Sequence, residues 1–358
     1  MHILVFGAGA IGSLLGHRLS HAGHDVTLVG RPSYVRAVQA HGLLLEEDGE
    51  ISQVRPTVVE ALDSLPAGQR SWDLVVLTVK IYDTQEAARE LVPYIPQNTP
   101  LLIVQNGVGG EELAQQVLSH TTIISGVITL VVSVLAPGHI RLDTSRGGLS
   151  LASTREGLHV AKWAELLAEA GLKTVICRDY RAQKWTKLLL NILGNVIPAI
   201  LDMSPGEVFV DPHLFRIERA AFLEALAVMR ALKLRAVRLC GYPVALLAWA
   251  MRTLPMLILR PLLARLIGSG RGEKKPSLQI DLARGRQRSE ALYLNGAVAA
   301  HARRAGIDAP VNQTLLTILM GIAKGTIPWD EFRQHPQKLI KAVHTWKDKD
   351  HAGAAATE

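Results

Sequence analysis

Lys187, Asn191 and Asn195 recur at intervals of four in the otherwise apolar segment KLLLNILGN. Steps of four wind slowly around a helix, so the three polar side chains form one slanting stripe. A lysine on such a stripe can stabilise an oxygen that gains negative charge and then protonate it. Burial suits an ammonium to that work by drawing its pKa down. The asparagines carry both donors and acceptors and can hold a hydroxyl or a carboxylate nearby. The plainer readings are a surface lysine that snorkels to water and asparagines that cap or bridge helices. Lys184 stands three residues before Lys187 on the same helical face and is expected to reach solvent.

A second constellation lies at the N-terminus, where Gly7, Gly9 and Gly12 form G-x-G-x-x-G in GAGAIG. The first glycine permits a tight turn, the second lets the backbone approach a pyrophosphate, and the third lets helix and strand pack closely. Backbone N–H groups along Gly7, Ala8, Gly9, Ala10, Ile11 and Gly12 would then hold the anion, helped by the helix dipole. The next strand ends VTLVGR, with no acid to accept a bond from a ribose 2′-hydroxyl. Arg31 stands where it can pair with a 2′-phosphate, which favours NADP over NAD. The plainer readings are a glycine-rich turn and a solvated arginine.

These residues need elements to position them. HILVF (residues 2–6) is a short β-prone run, a helical pattern follows from about Ala10 to His21, and HDVTLVGR reads as a second strand. DLVVLTV (73–79), PLLIVQ (100–105) and TTIISGVIT (121–129) continue the strands, with helical patterns near 83–92 and 110–118 between them. Strands alternating with helices predict a parallel sheet covered on both faces. HIRLD (139–143), GLSLAS (148–153) and LKTVIC (172–177) are later strands, with a helix near 157–170. From about Asp179 helical periodicity takes over, over 181–200, 206–240, 244–268, 276–306 and 311–323. The expected fold is α/β: an N-terminal Rossmann domain with a parallel sheet over 1–178, an all-helical domain over 179–345, and a flexible tail over 346–358.

Composition narrows the function classes. With 358 residues, 48% of them hydrophobic and 20% charged, the chain buries a large core and is not a disordered polymer. The net charge of +7 is scattered, without a dense basic run among aromatics, so a small anionic ligand fits better than nucleic acid. Cys177 and Cys240 make no metal spacing and no disulfide framework, and suit a reducing cytoplasm. None of the thirteen histidines stands in a metal spacing; His17 and His21 are the one suggestive pair, and no acid completes a site. The apolar stretch 242–268 is interrupted by Arg252, Arg260, Arg265, Pro255 and Pro261. Its charge-free runs fall short of the ~18–20 residues that span a bilayer, so two broken helices are expected, on the domain or at a subunit contact. The N-terminus reads as a first strand and not as a signal peptide.

The glycine turn, Arg31, TVK, QNG and the Lys/Asn stripe, in this order and spacing, resemble the ketopantoate reductase (2-dehydropantoate 2-reductase) family from residue 1 to about 325. The resemblance implies a Rossmann domain joined to a helical domain, reducing a 2-oxo acid with NADPH in the cleft between them. It implies that Lys80 in LTVK lies near the cofactor and that Asn106 in VQNGVG sits between nicotinamide and substrate. Lys187 takes the place of the family's general acid, and Asn191 and Asn195 match substrate-contacting asparagines. Ser277 in KKPSLQIDL matches a serine on the substrate carboxylate, against the plain reading of a helix cap. Glu290 in RSEALYLNG matches an acidic residue closing the site beside cofactor and substrate, against the plain reading of an exposed helix residue among arginines. The chain departs from the family at Pro205, where a further substrate asparagine is usual, at Val131 and Val132, in the longer GRQRSE segment and in the length of 242–268. The implied activity is NADPH-dependent reduction of ketopantoate to pantoate, with no metal. Reduction or oxidation of another oxo or hydroxy acid, or a non-catalytic NADP-binding regulator, are the alternatives. The implied partner is a small 2-oxo acid, with a homodimer left open and a cytoplasmic location.

Overall fold

A computed structural model of the chain describes residues 1–344 apart from 67, 69, 70, 97, 98, 145, 156 and 272–274, and apart from the side chains of 268–271. The tail expected over 346–358 lies outside the described residues. Two compact units divide the rest: residues 1–184 with 237–242, and residues 185–236 with those from 243 onward.

The first unit is α/β. Its strands, in chain order, are β1 (His2–Phe6), β2 (Asp25–Val29), β3 (Leu43–Glu47), β4 (Glu50–Val54), β5 (Thr57–Val59), β6 (Leu74–Leu77), β7 (Leu101–Ile103), β8 (Ile123–Ile128), β9 (Val131–Ala136), β10 (His139–Thr144), β11 (Leu149–Ser153) and β12 (Thr174–Cys177). Eight of them form one sheet in the order β12-β11-β8-β7-β6-β1-β2-β5. Every neighbouring pair in it is parallel except β8 and β11. Helices α1 (Ala10–His21), α2 (Pro32–His41), α3 (Thr84–Leu91), α4 (Gly110–Val117) and α5 (Ala161–Glu169) belong to the same unit.

β1 shows why the sheet is covered twice. Successive side chains of a strand point to opposite faces. Ile3 and Val5 join Leu14, Leu15 and Leu19 of α1 in one core. Leu4 and Phe6 join Ala87, Ala88 and Leu91 of α3 in the other. Each buried Val, Leu, Ile or Phe here is worth about 1.5–3 kcal/mol, so a run apolar at every position belongs in the middle of a parallel sheet.

Residues 32–59 supply α2, β3, β4 and β5. β3 and β4 are a hairpin turned by Asp48 and Gly49, both at positive φ (50° and 86°). They form a small second sheet in the order β4-β3-β10-β9, and the expected strand 139–143 lies there.

His17 of α1 is buried against β4, with Nε2 3.3 Å from the Ser52 carbonyl and 3.2 Å from its hydroxyl. Nδ1 is buried with no hydrogen-bond partner, and the His21 ring stacks at 6.1 Å. Burial pulls the imidazole from 6.5 down to about 4, so it stays neutral in the folded protein while the unfolded chain takes up a proton below 6.5. The associated stability is complete above that value and is lost as pH falls through the window to about 4, by about 3 kcal/mol in all. Urea midpoints at neutral pH and at about pH 4.5 should therefore diverge in the native protein and diverge much less in His17→Gln. Equal divergence in both would refute this assignment.

The second unit is helical. It holds most of α6 (Tyr180–Ile192), which runs on from the first unit, then α7 (Val196–Leu201), α8 (Pro205–Val210), α9 (Pro212–Ala231), α10 (Val244–Thr253), α11 (Met256–Arg271), α12 (Ser277–Ala283), α13 (Asn295–Arg304) and α14 (Pro310–Lys324). Phe209, Phe215 and Phe222 are fully buried in its core.

Three expected helices are interrupted. The run 181–200 breaks after Ile192, because Gly194 turns to φ 59° and Pro198 lacks an N–H and would strike the carbonyl four residues back. The run 206–240 divides at Asp211, which is extended, into α8 and α9, and ends at Ala231, with Lys233 at φ 59°. The run 276–306 divides into α12, a short 3₁₀ turn over Glu290–Tyr293, and α13. Residues 242–268 form α10 and α11, separated at Leu254 and Pro255, with Trp249, Leu257, Ile258, Leu262 and Leu266 exposed. Among the described residues no helix is long and apolar enough to cross a membrane.

Candidate functional site

Four adjacent parallel strands, in the order β7-β6-β1-β2, bring the expected cofactor residues to one edge of the sheet. Their carboxyl ends lead into Asn106, Lys80, the Gly7–Gly12 turn and Arg31 respectively. The sheet extends from β1 in both directions in chain order, so this edge is a topological switch point, where open α/β sheets bind ligands.

The glycine turn is tied on both sides. Gly7 and Ala8 donate to the Val29 carbonyl at 3.2 and 2.9 Å, and the Thr78 hydroxyl donates to the Gly7 carbonyl at 2.7 Å. Gly7 sits at φ 113°, and a Cβ there would lie 2.7 Å from the Val79 nitrogen. A Cβ on Gly12 would collide with the Gly7 carbonyl oxygen and lie 2.7 Å from the Thr78 hydroxyl. A Cβ on Gly9 would meet nothing within 4 Å. Gly9 is exposed and occupies the N-cap position of α1, with no side chain to satisfy the first-turn N–H groups and no acid in that turn. The turn is thus closed where the backbone packs and open where an anion would approach, which fits a dinucleotide pyrophosphate. Arg31 is exposed at the N-cap of α2. Behind it, buried Tyr34 accepts from Ser13 of α1 at 3.2 Å, and burial pushes its hydroxyl up to about 12.

Lys80 and Asn106 are both half-buried. Gln105, just before Asn106, is held by its side chain: Nε2 donates to the Val79 carbonyl at 2.9 Å and Oε1 accepts from Thr84 at 3.0 Å. Its carbonyl accepts from Lys184 Nζ at 2.9 Å. The expectation that Lys184 reaches solvent is wrong. The side chain is buried, with Nζ 3.0 Å from Glu111 Oε1, and Glu111 accepts from Ser125 at 2.6 Å. A carboxylate and a carbonyl replace the water this ammonium gives up; without them burial would cost several kcal/mol.

In the helical unit Lys187 and Asn191 are half-buried, one turn apart on α6. Asn195 does not continue their helical stripe. It lies beyond the break at Gly194, and its Nδ2 donates to the Asn191 carbonyl at 3.0 Å. Its Oδ1 is buried without a partner. Ser277 is exposed and is the first residue of α12; Pro276 holds the cap position, so the capping role does not apply to the serine. Glu290 is buried at the start of its 3₁₀ turn, not exposed among arginines, and the preceding Ser289 accepts from the Ala291 nitrogen at 3.2 Å.

Comparison with known proteins decides the kinship. Residues 3–156 match the family model described as Ketopantoate reductase PanE/ApbA, and residues 179–323 match its C-terminal counterpart. The chain belongs to the ketopantoate reductase family. A 2-dehydropantoate 2-reductase of Mesorhizobium japonicum is 31% identical over 257 residues, 66% of this chain and 78% of that protein. One from Archaeoglobus fulgidus is 28% identical over 327 residues, 90% of this chain and 98% of that protein. The crystal structure of a PanE/ApbA family ketopantoate reductase from Ralstonia eutropha JMP134 superposes with a TM-score of 0.76 at 29% identity, covering 91% of this chain and 99% of that one.

Within this family member, sequence reading missed Gln105, Glu111 and Lys184 as a linked set. The signal was present in part, since Lys184 lies three residues from Lys187 and Gln105 precedes Asn106. Glu111, in the first turn of α4, is an ordinary residue type for a helix start and drew no notice.

Proposed function

We propose that this chain reduces ketopantoate to pantoate with NADPH. The observation that carries the reading is the Gly7–Gly12 turn, closed over Gly12 and open over Gly9, at one sheet edge with Arg31, Lys80 and Asn106, in a chain of this family. NADPH, when bound, supplies the hydride that converts the C2 carbonyl to an alkoxide. The N–H groups of the glycine turn hold the pyrophosphate, and Arg31 pairs with the 2′-phosphate. Lys80 and Asn106 orient the nicotinamide end. Lys187 stabilises the C2 oxygen and gives it the proton that completes the alcohol. Asn191, Asn195 and Ser277 hold the substrate carboxylate and hydroxyl, and Glu290 closes the site. On this reading residues 1–178 bind the cofactor and 179–345 the substrate.

The substrate within the 2-oxo acids is set by shape. Pro205, where a substrate asparagine is usual, is the buried first residue of α8 and offers no donor. The test is oxidation of NADPH with ketopantoate present and absent, beside a panel of other 2-oxo acids. Ketopantoate should be preferred; a preference of about tenfold or more for another acid, some 1.4 kcal/mol in transition-state binding, overturns the substrate. We also propose a cytoplasmic homodimer, supported by exposed Trp249, Leu257, Ile258 and Leu262 on consecutive helices. A monomer by sedimentation at micromolar concentration would rule that assembly out.

A further inference from the structure

We propose that Lys184 is a positioning residue, whose buried ammonium clamps both ends of the loop that carries Asn106. The inference rests on the ketopantoate reductase reading for its kinetic arm only. The loop from β7 to α4 reads Val104, Gln105, Asn106, Gly107, Val108, Gly109. Gly107 and Gly109 take φ 92° and 103°, conformations that side-chain-bearing residues rarely adopt. A loop shaped by glycines has little stiffness of its own, so its geometry depends on what holds its ends.

One ammonium holds both. At the start, Nζ lies 2.9 Å from the Gln105 carbonyl oxygen. That carbonyl shares a rigid peptide plane with the Asn106 nitrogen, so fixing the oxygen fixes the plane from which Asn106 begins. At the end, Nζ lies 3.0 Å from Glu111 Oε1 in the first turn of α4. Each anchor is backed in turn. The Gln105 side chain is tied to Val79 and Thr84. Glu111 accepts from Ser125 of β8, and Gln183, beside Lys184, donates to the Ser125 carbonyl at 3.0 Å.

Stability alone gives a weak reason for such a pair. Replacing a buried ion pair with neutral residues of similar volume is often close to neutral in stability, whereas removing one partner strands a buried charge. What a neutral replacement does not reproduce is a single cation binding a carbonyl and a carboxylate six residues apart. A purely structural role and a positioning role therefore part company in the variant that removes both charges.

The test compares Lys184→Met with the double variant Lys184→Met/Glu111→Gln, which keeps an acceptor for Ser125 and strands no charge. The single variant is expected to lose thermal stability and the double variant to recover most of it. In the recovered double variant, amide hydrogen exchange of the free protein across 106–110 should still rise by about tenfold or more, while the β1–β2 amides stay protected. With ketopantoate, kcat should fall about a hundredfold, the size expected for an ångström-scale misplacement, with NADPH affinity within about threefold of native. Asn106→Ala should add little in this background although it is severe alone, as residues acting through one geometry are not additive. Native exchange across 106–110 in the stable double variant overturns the proposal. If the native protein fails to oxidise NADPH with ketopantoate, the functional reading falls, and the exchange measurement still decides the clamp.

Discussion

Lys187→Ala is expected to lower turnover of ketopantoate by roughly three orders of magnitude, within the 10²–10⁴-fold range of a positioned proton donor. Affinity for NADPH should change little, because the glycine turn and Arg31 belong to the other compact unit of the chain. The variant should also fold. Lys187 is half-buried in the interior of α6, and alanine is the best helix former, so the helix loses no propensity. Leu188, Leu189 and Ile192, which bury the opposite side of the helix, are untouched. The expected pattern is a collapsed kcat with a normal nucleotide titration and a normal melting curve. Turnover equal to the native enzyme would remove Lys187 from the mechanism, and a collapsed melting curve would show that its role is structural.

The second large effect contrasts two glycines in one motif. In Gly12→Ala the new methyl meets the Gly7 carbonyl oxygen and the Thr78 hydroxyl, both held by further hydrogen bonds, so neither yields cheaply. Overpacking of this kind costs about 1–3 kcal/mol or more, and the displaced turn should lose NADPH as well. In Gly9→Ala the methyl meets no protein atom within 4 Å, and the backbone there (φ −85°, ψ −163°) suits any residue. Gly9→Ala should therefore melt like the native protein and yet bind NADPH about ten- to a hundredfold more weakly, a loss of about 1.4–2.8 kcal/mol. Calorimetric unfolding beside nucleotide titration separates the two cases. Unimpaired NADPH binding by Gly9→Ala would mean that no pyrophosphate approaches this turn.

Much of this was legible in the chain. Ile3–Phe6 of HILVF and the whole of LVVL announce buried parallel strands because each of those positions is apolar, and the glycine turn stands where the first strand meets its helix. The hairpin of β3 and β4 was also signalled, by Asp48–Gly49 between two strand-forming runs, and escaped notice because the flanking glutamates mask the alternation. Pro198 likewise marks the interruption of the 181–200 helix, since a proline has no N–H to bond the carbonyl of Gly194 four residues back and its ring crowds that carbonyl. Treating KLLLNILGN as one helix overlooked that proline and put Asn195 on a stripe it does not join.

What the sequence determined by itself is therefore local: strand and helix periods, the glycine turn, the absence of an acid after β2, and the kinship those motifs carry. Each depends on residues within a few positions of one another, where sterics and hydrogen bonding act without help from the rest of the chain. The tertiary structure alone decided which buried polar groups meet. Lys184 and the Gln105 carbonyl are 79 positions apart, and whether that lysine reaches water or a carboxylate depends on how the start of α6, up to Lys184, packs within the first unit. The same holds for Glu290, exposed by its neighbours in the chain and buried by its neighbours in space. A charged side chain has no period or spacing that reveals its partner; only the fold, by removing water from it, makes the partner obligatory.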